Sequence, residues 1–154
     1  MLAVLLLISG FAFLYFLETS FVKQILIIFL TFSYWLLIKN VNPIVFSSEA
    51  RPEEKTIINY LCLVISFLFF SSLFALRIFL YVKIIWLLLL VWPVILLLLA
   101  GVFSANGLGI KKNLVTIVVI LLIILELFWA NTYLPTNFFV NGIFLSVAYY
   151  IIVN

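Results

Sequence analysis

Long apolar runs interrupted by brief polar stretches set the pattern of this chain. Runs such as Ile84-Ile-Trp-Leu-Leu-Leu-Leu-Val-Trp92 and Ile117-Val-Val-Ile-Leu-Leu-Ile-Ile-Leu125 show no alternation of apolar and polar positions. A transmembrane barrel would alternate at period two. In hydrocarbon every backbone polar group must be satisfied within its own segment, which leaves helices. A span needs about 20 apolar residues, or about 17 when short. The pattern predicts six spans, at 2–17, 21–38, 56–76, 82–103, 113–131 and 137–153. The expected architecture is an all-α polytopic transmembrane helix bundle, with residues 1–154 as one integral membrane domain.

The interruptions carry their own signals. Glu18-Thr-Ser20 separates two short spans, which should form an antiparallel hairpin, and Lys23 can snorkel outward from the first turn of the second. Residues 39–55 form the one substantial polar loop. Its end, Arg51-Pro-Glu-Glu-Lys55, reads as a helix start, because proline suits the first helical position and carboxylates favour the positive end of the dipole. Arg77 to Lys83 makes the next turn. Pro93 lies near the middle of span four, where its missing donor should bend the helix. Ser104-Ala-Asn-Gly-Leu-Gly109 should end that span, since glycine accepts the left-handed backbone of a C-cap.

Composition makes the medium explicit. Hydrophobic residues account for 69% of the chain and charged residues for 8%, against about 45–50% and 25% in soluble domains. Eight Lys/Arg and five Glu give a net charge of +3, with no Asp and no His. That excludes a histidine base, a histidine metal site and an aspartate triad. No cofactor or metal is expected. The basic residues are scattered, so no nucleic-acid partner is expected. Cys62, the one cysteine, cannot form an internal disulfide. The N-terminal Met-Leu-Ala-Val-Leu lacks the basic region of a secretory signal and reads as a retained span.

Orientation follows from basic residues in short loops. One side holds Lys39, Arg51, Lys55, Lys111 and Lys112, and the other holds Lys23, Arg77 and Lys83. Five against three places both termini in the cytoplasm of a cell membrane. The uncharged turn 129–136 then lies outside.

Chemistry concentrates in the last third. Glu126 lies five residues before the end of span five, about 7 Å inside at 1.5 Å per residue. Trp129, Asn131, Tyr133, Asn137 and Asn141 follow, and together they form the candidate polar site. A charge at that depth costs several kcal/mol and usually faces the bundle or a cavity. Glu126 could serve a proton, a cation or a lipid headgroup. Its structural use would be an ion pair, with Arg77 or Lys83 in the same leaflet as partner, and this is the use expected. Asn137 and Asn141 are four apart and should share a face of span six. Gly142 and Ser146 form a small-xxx-small pair, which points to helix packing. Thr56, Asn59, Cys62 and Ser66 line one side of span three and also read as packing residues. Asn106-Gly-Leu-Gly with Lys111-Lys112 lacks the spacing of a phosphate loop and reads as a basic turn on acidic lipid.

The stretch Glu126-Leu-Phe-Trp…Leu134-Pro-Thr-Asn-Phe…Val140-Asn-Gly142 resembles the C-terminal part of an uncharacterised family of small polytopic bacterial membrane proteins. The resemblance covers about 30 residues, implies an inner-membrane protein and supplies no activity. The expected function is a non-enzymatic structural or partner-binding membrane component, in contact with lipids and with itself or another membrane protein. A small oligomeric transporter or channel using Glu126 is the first alternative. A lipid-modifying enzyme is the second.

Overall fold

The structure, a computed structural model, describes residues 2–46, 52–107 and 113–153. Among the described residues six helices make up the fold: α1 Leu2–Phe16, α2 Ser20–Phe46, α3 Pro52–Leu80, α4 Ile84–Ala105, α5 Leu114–Asn131 and α6 Phe138–Val153. The protein is an all-α membrane protein. Four helices, α2 to α5, are long and apolar enough to cross a bilayer, and α1 and α6 are shorter apolar helices. At 1.5 Å per residue the 15 residues of α1 and the 16 of α6 reach about 22–24 Å. That is short of a hydrocarbon core of about 30 Å.

Two helices outrun their expected spans. α2 continues to Phe46 and α3 begins at Pro52, so most of the expected loop 39–55 is helical; residues 47–51 lie outside the described residues. The physical reason is that hydropathy marks where a helix leaves hydrocarbon, not where its hydrogen bonds stop. The helix start expected at Arg51-Pro52 is found at Pro52.

The helices alternate in direction, and ring and side-chain contacts fix the registers. Tyr60 stacks on Tyr150 at 6.4 Å, and Phe79 meets Phe138 edge-on at 5.8 Å, so α3 and α6 run antiparallel. Phe13 touches Phe67 and Phe16 touches Phe79, so α1 runs parallel to α3. Leu2 abuts Gly101, which sets α1 antiparallel to α4. Loops 17–19, 81–83 and 132–137 therefore gather at one end. Leu2 and Val153 lie toward the other.

Helix α3 is the hub, packing against α1, α2, α4 and α6. Half of its span is buried, against 11% for α2. Small buried side chains make this possible: Cys62, Ser66, Ser71, Ser72 and Ala75. Small residues let membrane helices approach closely. Ser66 and Ser72 lose little by burial, because their hydroxyls donate to carbonyls of their own helix, whereas the buried Ser71 hydroxyl has no hydrogen-bond partner among the described residues. Ser66 donates to Leu63 at 2.7 Å and Ser72 to Phe69 at 2.7 Å. Ser9 and Ser146 do the same in α1 and α6. Serine thus does here what glycine does in other membrane bundles. Phenylalanines fill the wider gaps. Phe13 sits edge-on to both Phe67 and Phe139, at 5.7 and 5.6 Å, and Phe74 stacks on Phe128 at 5.0 Å. Such pairs add about 0.5–1.5 kcal/mol each beyond their area.

Candidate functional site

The turn between α5 and α6 separates the sequence candidates into an inner and an outer group. Asn131 ends α5 and is buried, and its Nδ2 donates to the main-chain carbonyl of Asn141 at 3.0 Å. Asn141 is also buried, and its Oδ1 accepts from the Thr136 hydroxyl. These bonds pin the start of α6 to the end of α5. The next residue, Gly142, lies against Ser71 of α3, and a Cβ there would sit 2.9 Å from the Ser71 Cα. Asn131, Thr136, Asn141, Gly142 and Ser71 therefore make one junction that joins three helices. Thr136 is the member that the sequence reading missed. Its position four residues before Val140 carries no helical signal, because it lies in the turn.

The outer group points away from this junction. Trp129 and Tyr133 are exposed and meet edge-on at 5.2 Å. Such amphipathic rings suit a membrane–water interface. Asn137 is exposed and does not share the buried face of Asn141. It starts α6 instead, its carbonyl accepting from the Asn141 N–H at 3.0 Å and its Oδ1 from the Phe139 N–H at 3.5 Å. The physical reason is that Asn137 precedes the first helical residue, Phe138, so helical spacing does not apply to it.

Glu126 lies on the outer side of α5 and is exposed. Among the described residues no hydrogen bond or ion pair joins it to Arg77 or Lys83. The expected inward-facing pair is thus corrected. The cause is angular. α5 buries Ile124, Phe128 and Asn131. At about 100° per residue Glu126 lies about 200° from Ile124 and about 140° from Asn131. If Asn131 faces in, Glu126 cannot. Arg77 is half-buried in the last turn of α3, where a cation complements the negative end of the helix dipole. Lys83 is exposed and immediately precedes α4.

What Glu126 does face is a groove between α4 and α5. Ile85, Leu88 and Leu89 line one wall, and Leu122, Leu125, Glu126 and Trp129 line the other. Apart from the carboxylate, the walls are hydrocarbon and indole.

The other candidates resolve as packing or capping, except Thr56 and Pro93, which lie on exposed surface. Cys62 and Ser66 are buried in α3, Asn59 is half-buried and Thr56 is exposed. α4 runs through Pro93 without a break, and Pro93 is exposed on its flank. Asn106 donates from Nδ2 to the Val102 carbonyl at 3.0 Å, and Gly107 takes a φ of +70° just beyond. Lys111 and Lys112 lie outside the described residues. No group of three His, Cys, Asp or Glu side chains is assembled among the described residues. Comparison of the chain with known family models, curated proteins and solved structures finds no match.

Proposed function

We propose that the chain is a non-enzymatic membrane component that binds a partner within the bilayer through its α4–α5 face. The observation that carries this reading is the placement of Glu126. An exposed carboxylate sits in an otherwise apolar groove on the outer flank of the bundle, while the buried asparagines are engaged in joining helices. A transport site would need polar groups converging on an interior path. The interior polar groups instead sit between packed helices. A charge facing lipid is costly, and a second membrane-embedded surface placed over it relieves that cost.

The same reading sets the protein in a cell membrane with both termini cytoplasmic. Five Lys/Arg on the side of the termini against three on the other support this orientation. The uncharged turn 132–137 then faces outward, with Trp129 and Tyr133 at the outer interface.

Photo-crosslinking in the native membrane tests the reading. A crosslinkable residue at Leu122 or Trp129 should give a discrete protein adduct, and one at Ile25 or Ile28 on the exposed side of α2 should give lipid adducts. Lipid adducts alone from every position would reject a docking face. A proton or cation flux in proteoliposomes that vanishes in Glu126→Gln would replace the reading with transport.

A further inference from the structure

We infer that the α4–α5 groove receives a transmembrane helix of another protein that carries a single Lys or Arg, about 7 Å inside its own outer end, paired with Glu126. The inference rests on the partner-binding reading above and names the partner's chemistry.

Three observations lead to it. The first is charge. Among the described residues Glu126 is the one charged side chain lining the groove, with Ile85, Leu88, Leu89, Leu122, Leu125 and Trp129. An occupant that fits must be apolar along its length and cationic at one point.

The second is depth. Glu126 lies five residues before the last residue of α5, about 7 Å below it. Trp129, about one turn further out on α5, and Tyr133, in the turn beyond it, mark the interface by their exposed rings. A lipid amine travels at headgroup level, above Glu126. A Lys or Arg on a helix can be held at the depth of the carboxylate. An ion pair removed from water keeps both partners charged, and removing either strands the other.

The third is symmetry. A two-fold contact presents the same patch to itself. A second copy docked on a two-fold axis passing through Glu126 would bring two carboxylates together, and like charges at close range oppose each other. The face is therefore complementary to a basic helix rather than to itself.

Energy transfer in proteoliposomes tests this. The donor is the full-length chain. The acceptor is a synthetic Leu/Ala transmembrane peptide with one Lys in the outer leaflet at the depth of Glu126, compared with the same peptide carrying Leu there. Expected is an association about three- to thirtyfold tighter for the Lys peptide, the range of polar contacts between membrane helices. Glu126→Gln should abolish the difference, and moving the Lys to the opposite leaflet should too. Cys62, buried in α3, should stay unreactive to thiol reagents in Glu126→Gln, showing an intact bundle. Equal binding of Lys and Leu peptides, or a Lys preference that survives Glu126→Gln, would overturn the inference. So would transfer between differently labelled copies of the chain that requires Glu126, since a second copy would then be the occupant. A photo-crosslinked partner without a basic residue at that depth would refute the charge pairing while leaving the docking face in place.

Discussion

Gly142→Ala should undo a close contact between α6 and α3. The added Cβ would stand 2.9 Å from the Ser71 Cα, where ordinary contact begins at 3.4 Å. Helix α6 must therefore retreat by at least the difference, 0.5 Å. The near atoms include backbone, so no rotamer change at Ser71 avoids the move. A gap of about 0.5–1 Å forfeits a quarter to a half of each dispersion contact it opens. The retreat also pulls on Phe138, Leu145 and Tyr149, which α6 buries on the same side, and on the Asn131–Asn141 bond. Overpacking of this kind costs about 1–3 kcal/mol. A middle value of about 2 kcal/mol is roughly a thirtyfold shift in the docking equilibrium. The chain contains its own reporter, because its one cysteine, Cys62, is 1% exposed. The rate of Cys62 modification by a fluorogenic maleimide, followed through a thermal ramp in detergent, should rise in Gly142→Ala. Phe144→Leu, on the exposed side of α6, should match the wild type. Adding Ser71→Gly to Gly142→Ala should recover part of the loss, since it removes the Ser71 Cβ and hydroxyl but not the Cα. Identical melting and labelling in Gly142→Ala and Phe144→Leu would refute the close-contact argument.

Other substitutions follow from the same packing. Gly10→Ala meets only the end of a flexible side chain, the Leu30 Cδ1 at 2.8 Å, so its thermal midpoint should stay near the wild type, helped by a helix propensity gain of about 1 kcal/mol. Tyr149→Phe removes a buried hydroxyl that has no hydrogen-bond partner among the described residues; stability in the same maleimide assay should be unchanged or higher, because an unsatisfied buried polar group costs about 1–3 kcal/mol. Asn131→Ala loses the bond to the Asn141 carbonyl and should destabilise by about 1 kcal/mol, with α6 amide exchange accelerating before that of α3. For threading, cysteines at Thr19 and Tyr133 should react with an impermeant reagent from one side of the membrane and a cysteine at Asn106 from the other.

The order of the helices was legible because apolar length is written directly in the sequence, whereas the added turns of α2 and α3 were not. Ser104-Ala-Asn-Gly marked the end of α4, and Arg51-Pro-Glu-Glu marked the start of α3. The packing role of Asn141, Gly142 and Ser146 was legible too, because small and polar residues stand out against leucine and phenylalanine. Facing was harder to read. In a soluble helix the polar side announces the solvent, but α5 is apolar all round, and its lipid-facing Val115, Val119 and Leu122 resemble its buried Ile117, Ile120 and Leu121. Glu126 was expected to face inward because charges in spans usually do. The competing signal was its angle from Asn131, a residue whose amide has more to gain from burial against another helix end.

The account turns on the outward direction of Glu126, and a nitroxide scan of α5 in lipid bilayers tests it most directly. Single cysteines from 117 to 130, in a Cys62→Ala background, would be spin-labelled and their collision rates with oxygen measured. Oxygen concentrates in lipid, so exposed positions relax fastest. The account predicts maxima at 119, 122, 126 and 129 and minima at 120, 124 and 128, matching the exposed and buried positions of the helix. A minimum at 126 with a maximum at 124 or 128 would turn Glu126 into the bundle and contradict the docking face.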